Sequence, residues 1–205
     1  MLPQPSLPWF HVALGATGAL GLIAATLAWT APDSLASNRS PSAADRDRSI
    51  AAFRQIAAVL RHPRCLNCHT VTEFPRQGNE RRRHDMLVMR GHDDHGVAAM
   101  RCSSCHQNIN QPNGVPGAPN WGLAPLAMGW EGLDDHALAE ALKDPARNGR
   151  RSLEQLYEHM AHDELVGWGW QPGASRDPVP LSRNEFAQHL REWIDTGAVS
   201  PPATR

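Results

Sequence analysis

Cys65-Leu66-Asn67-Cys68-His69 recurs later in the chain as Cys102-Ser103-Ser104-Cys105-His106. These two pentapeptides use all four cysteines of the 205 residues. C-x-x-C-H is the attachment pattern for c-type haem. Its two thiols can form thioethers with the porphyrin vinyl groups, and the adjacent imidazole can ligate iron. The repeat therefore predicts two haem c groups, bound through Cys65, Cys68 and His69 and through Cys102, Cys105 and His106.

Two other readings of the cysteines compete. A zinc site takes Cys and His ligands, but paired knuckles are usually separated by ~15–20 residues. Here 33 residues lie between Cys68 and Cys102. Two disulfides would suit an exported chain, yet they give no reason for a histidine directly after each pair. Haem accounts for both the spacing and the histidines.

The net charge of −1 gives no overall pull toward nucleic acid or acidic membranes. Residues 45–110 carry 11 Arg against seven acidic residues, whereas 111–205 carry eight basic against 13 acidic residues. The basic half bears both pentapeptides. Its arginines either neutralise haem propionates and face an acidic partner, or form a solvated surface. Arg81-Arg82-Arg83 reads as an exposed loop, since no aromatic residues interleave it as in a nucleic-acid patch.

Residues Trp9 to Ala31 form an uncharged, largely apolar stretch, long enough to span a bilayer as a helix. Ser34-Leu35-Ala36 resembles a small-x-small cleavage site. Residues 1–36 are expected to be a signal peptide or an N-terminal membrane anchor attached through residues 9–31. Residues 37–48 follow as a linker, and 49–205 as the haem-bearing domain. The expected location is the periplasm, free or tethered.

The fold expected is all-α: short helices and long loops, cytochrome c-like, packed around two covalent haems. A first helix should run from about Asp45 to Leu60, with Phe53, Ile56, Ala57 and Leu60 on one face, ended by Pro63. Gln107 to Gly132, rich in Pro, Gly and Asn, reads as a loop over a cofactor, carrying Trp121 and Trp130. Another helix spans His136 to Lys143. Capping boxes at Ser152–Gln155 and Ser182–Glu185 open two more. The first buries Leu153, Leu156, Tyr157 and Met160; the second buries Phe186, Leu190, Trp193 and Ile194 and ends at Gly197. Trp168 to Gly173 reads chiefly as core packing, with a haem edge or docking surface as the alternative.

The second axial position on each iron separates the functions. Two strong protein ligands suit electron transfer, whereas an open position permits binding or activation of a small molecule. His84 lies within chain reach of the first pentapeptide and heads the apolar run Met86 to Met89, so it is the candidate for the first iron. Met128, in a Pro/Gly-rich loop, ranks ahead of His159 for the second. His92 and His95 read as a hydrated turn.

A longer resemblance rests on His62 through His69, Arg101 through His106, Pro116-Gly117-Ala118-Pro119, Leu123-Ala124-Pro125, Lys143-Asp144-Pro145 and Trp168 to Gly173. In these segments the chain resembles a group of bacterial exported dihaem cytochromes, sometimes labelled isoquinoline 1-oxidoreductase subunits. The resemblance implies partnership with a molybdenum hydroxylase or another periplasmic dehydrogenase. No cysteines remain for iron–sulfur clusters, so the implied role is electron acceptor. The function expected is an electron relay rather than an enzyme, between such a dehydrogenase and the respiratory or photosynthetic chain. A small peroxidase-like haem enzyme and a haem-based ligand sensor are the alternatives.

Overall fold

The structure is a computed structural model, described here for residues 40–173 and 175–204. The expected leader or anchor lies outside the described residues. Among the described residues, no helix is long and apolar enough to cross a membrane. The described chain is mostly helical.

Helix α1 spans Ala43–Leu60. Ser42 caps it by accepting from the Asp45 amide at 3.1 Å, while Asp45 complements the positive helix start. The helix therefore begins inside the stretch 37–48 expected as linker. The overlooked signal is the Ser42-Ala43-Ala44-Asp45 start itself. Phe53, Ile56, Ala57 and Leu60 are all buried, as the periodicity requires. Pro63 then opens the one-turn helix α2, Pro63–Leu66, which carries Cys65.

Two minimal antiparallel hairpins follow: β1 (Arg76–Gln77) with β2 (Arg82–Arg83), then β3 (Gly96–Val97) with β4 (Met100–Arg101). Each strand has two residues, too short to leave an alternating pattern. Arg81 is half-buried and pairs with Glu131 at 3.1 Å, rather than standing free in a loop. Arg82 pairs with Asp85, and Arg83 stacks over Phe74.

The remaining helices are α3 (Asp135–Lys143), α4 (Leu153–His162), α5 (Glu164–Gly167) and α6 (Arg183–Asp195). Both expected capping boxes form, at Ser152/Gln155 and Ser182/Glu185. Gly197 follows α6 with φ +98°, the left-handed conformation that favours glycine after a helix. Leu153, Tyr157 and Ile194 are only half-buried, and Arg191 stacks over the Tyr157 ring.

Helix α6 lies along α1, with the Trp193 and Phe53 rings 5.2 Å apart. Ser49, fully buried between them, donates to the Trp193 carbonyl and accepts from the Val199 amide. Leu138, Leu142, Leu156, Met160, Phe186 and Leu190 complete the core. This helical scaffold forms one side of the first pentapeptide. Loops surround the second.

Candidate haem attachment sites

Both pentapeptides fold into the same turn. The amides of Cys68 and Cys105 donate to the carbonyls of Cys65 and Cys102, each at 3.2 Å. The amides of His69 and His106 donate to the same two carbonyls at 3.0 and 2.9 Å. One helical turn therefore presents two thiols and an imidazole, twice.

The histidines are also held alike. His69 Nδ1 donates to the Met128 carbonyl at 2.8 Å, and His106 Nδ1 donates to the Pro116 carbonyl at 2.7 Å. A neutral imidazole that donates through Nδ1 keeps its lone pair on Nε2, the form a metal ligand needs. Burial holds both rings neutral: it lowers the His69 pKa to about 4 and also lowers that of His106. Each ring is stacked by an indole. Trp130 covers His69 at 3.4 Å and 8°, and Trp121 covers His106 at 4.6 Å and 11°.

All four holding groups come from the loop 116–130, which acts as a strap across both pentapeptides. It is stitched down by Ala124 N donating to the Cys68 carbonyl and Trp130 N donating to the His69 carbonyl. Glycine follows each accepting carbonyl because the backbone passes too closely for a side chain. A Cβ on Gly117 would lie 2.3 Å from the carbonyl oxygens of Gln107 and Ile109; one on Gly129 would lie 2.8 Å from Val71 Cγ1.

Arg90, 4% exposed, anchors the strap from beneath. Its guanidinium donates to the Ala124, Thr70 and Thr72 carbonyls and pairs with Asp94 at 2.6 Å. Neither this arginine nor the Pro116 carbonyl was singled out from the sequence. A lone arginine in a basic stretch gives no sign of burial, and the role of Pro116 depends on a backbone atom.

The first site is a cavity of about 530 Å³, within the ~300–1,000 Å³ range of small-molecule and cofactor sites. Cys65, Cys68 and His69 form one wall, with Leu60, Leu142, Leu156, Met160 and Phe186 among the apolar residues lining the rest. Burial pushes the Cys65 and Cys68 thiols up to about 12 and 11. Arg64, Arg147 and Arg151 also line the space. So does Trp130, whose buried Nε1–H has no hydrogen-bond partner. A flat apolar ligand with anionic edge groups fits this combination of wall, volume and unused donor. Haem is such a ligand.

The second site is a surface. Cys105 is exposed and Cys102 half-buried, with burial raising the Cys102 pKa. Around this site the apolar residues Met86, Leu87, Val97 and Ile109 remain exposed.

The structure exchanges the expected partners of the two sites. His84 lies beside His106, not His69, with ring centroids 5.9 Å apart. Met128 and His159 line the cavity of the first pentapeptide, not the surface of the second. Hairpin β1–β2 turns His84 away from the nearer pentapeptide, and the strap brings Met128 back to His69. The segment around His92 and His95 is a turn as expected, with His92 exposed, but His95 is half-buried and lines the cavity. Trp168 and Trp170 contribute to core and cavity together. Trp168 packs edge-on against Trp121, and Trp170 packs on Phe186.

Among the described residues, no group of three or more His, Cys, Asp or Glu converges as a metal-binding set. The pentapeptides therefore do not fold together into one zinc knuckle, and all four cysteines are free thiols. Compared with protein-family models, curated proteins and solved structures, the chain finds no match.

Proposed function

We propose that this chain is an exported electron-transfer protein carrying two haem c groups, working in the periplasm or tethered to the membrane facing it. The observation that carries the reading is the duplicated holding geometry. Two C-x-x-C-H turns each have their histidine tied through Nδ1 to a strap carbonyl and stacked by a tryptophan. Bound haem supplies a one-electron iron couple. Cys65 and Cys68, and Cys102 and Cys105, tether the porphyrins, while His69 and His106 offer Nε2 to iron. The strap carbonyls fix ring orientation and strengthen the imidazoles as ligands.

The two sites are neighbours. The Trp121 indole stacks on the second site's His106 and lines the first site's cavity, which suits direct exchange between them. The first site lies in a largely apolar cavity of the helical core; the second lies at the surface, with Cys105 exposed, where a redox partner can reach it. A dehydrogenase delivering electrons to the respiratory or photosynthetic chain through this pair is the simplest assignment.

Mass spectrometry of acid-denatured protein, expressed with haem attachment machinery, tests the reading. The expected mass is that of the polypeptide plus two covalent haems, and the same spectrum shows whether the leader is removed. A polypeptide of bare mass overturns the proposal.

A further inference from the structure

We infer that His84 is the second axial ligand of the iron at Cys102–His106, making that site a bis-imidazole centre; this rests on the dihaem reading above. The evidence is geometric. The His84 and His106 ring centroids lie 5.9 Å apart at 70°. Two imidazoles bound to one metal through nitrogen at ~2 Å each have their ring centres roughly 6 Å apart. The pair therefore already has the span an intervening iron requires.

The available nitrogens agree. His106 donates through Nδ1 to Pro116, and His84 donates through Nδ1 to the Asp85 carbonyl at 2.6 Å. With Nδ1 used as the donor, each ring has Nε2 left for a metal. Although His84 precedes the second pentapeptide by many residues, the ladder Arg76↔Arg83, Gln77↔Arg82 projects it there. Its own amide is tied to the Pro75 carbonyl at 3.0 Å.

The neighbouring backbone provides an independent indication. Met86 and Leu87 follow with φ of +63° and +55°, the left-handed region bulky residues rarely enter. Strain of this kind clusters at functional sites. It turns two large apolar side chains outward, leaving Met86 75% and Leu87 69% exposed. Ile109, three residues after His106, is 71% exposed. A porphyrin ring between His84 and His106 gives these apolar surfaces something to cover.

Both axial positions of this outer iron are then filled by protein, so the site passes electrons without admitting small ligands. The test is His84→Ala in the full-length holoprotein, with haem counted by mass. Reduced variant is expected to bind about one more equivalent of carbon monoxide per chain than the unaltered protein. Added imidazole should restore the low-spin spectrum. His84→Met, which retains a ligand on the same segment, is expected to gain a sulfur-to-iron charge-transfer band. Two haems with unchanged carbon monoxide stoichiometry and unchanged spectra in both variants overturn the assignment alone. If neither variant accumulates, near-infrared magnetic circular dichroism of the unaltered protein decides: an imidazole–imidazole iron is required, and its absence overturns the assignment. A chain carrying no haem overturns the dihaem reading as well.

Discussion

The two pentapeptides share a turn, a tethered histidine and a stacked indole, yet one lines a cavity in the helical core and the other lies at the surface. The difference comes from what delivers each turn. Helix α1 and Pro63 lead into Cys65, so the first turn is packed against α1 and faces α4 and α6. Hairpin β3–β4 leads into Cys102, with no helix behind it. An attachment motif therefore sets local chemistry, while the preceding element sets burial. Under the dihaem reading, that contrast suits unequal roles, an inner store and an exposed terminal.

The largest expected effect comes from preventing attachment at one site at a time. Emptying the first site leaves a cavity of about 530 Å³. Unfilled apolar space in a core typically costs about 2–5 kcal/mol per truncated side chain, a large part of the ~5–15 kcal/mol stability of a whole domain. Cys65→Ser with Cys68→Ser is expected to abolish accumulation of folded protein. Cys102→Ser with Cys105→Ser should yield folded protein with one haem. Soluble yield, mass and thermal melting would show it; equal losses would remove the distinction.

Arg90→Met should come next. Removing the buried guanidinium strands Asp94 and three carbonyls, at about 3–5 kcal/mol, measurable by denaturant unfolding. The strap glycines can be compared directly. Gly117→Ala drives a methyl into two backbone oxygens at 2.3 Å, whereas Gly129→Ala meets the end of a valine at 2.8 Å and the Leu126 and Thr70 carbonyl oxygens at the looser distances of 3.2 and 3.4 Å. The first should cost about 1–3 kcal/mol and disturb the His106 site; the second should cost less and affect His69. Trp121→Leu removes the shared indole, and stopped-flow reduction should show slower exchange between the irons with both haems retained. An unchanged rate would exclude this ring as the link.

The smallest effect lies away from both sites. Asp134 caps α3 through the Ala137 amide and receives two hydrogen bonds from Thr204, which hold its pKa at about 2, against 3.8 ordinarily. Because the folded value is depressed, this contribution is full above about 4 and is lost as pH falls through about 2. Faster amide exchange at Thr204 over that interval, leaving both haem spectra unchanged, would locate the loss in the C-terminal tail.

Local signals were legible in the sequence. The capping boxes at Ser152 and Ser182, the apolar face ending at Leu60 and the Gly197 stop all depend on residues within a few positions. So did the turn of each pentapeptide and the irregular course of Gln107 to Gly132. The pairing of His84 and Met128 with the sites was not legible. It depends on two-residue hairpins and on a strap whose contacts are backbone carbonyls, and neither leaves a periodicity. Nearness along the chain pointed His84 to the first pentapeptide, whereas its ring lies beside His106 of the second.

The cavity walls also impose an order on maturation. Under the dihaem reading, Cys65 and Cys68 are the first attachment residues to emerge, but their pocket includes Leu156, Met160 and Phe186, translated much later. Porphyrin should reach these thiols most readily before the distal helices dock, because Leu156, Met160 and Phe186 complete the wall around them. The outer pentapeptide has no such deadline, so the earlier pair to be made is the more urgent to load.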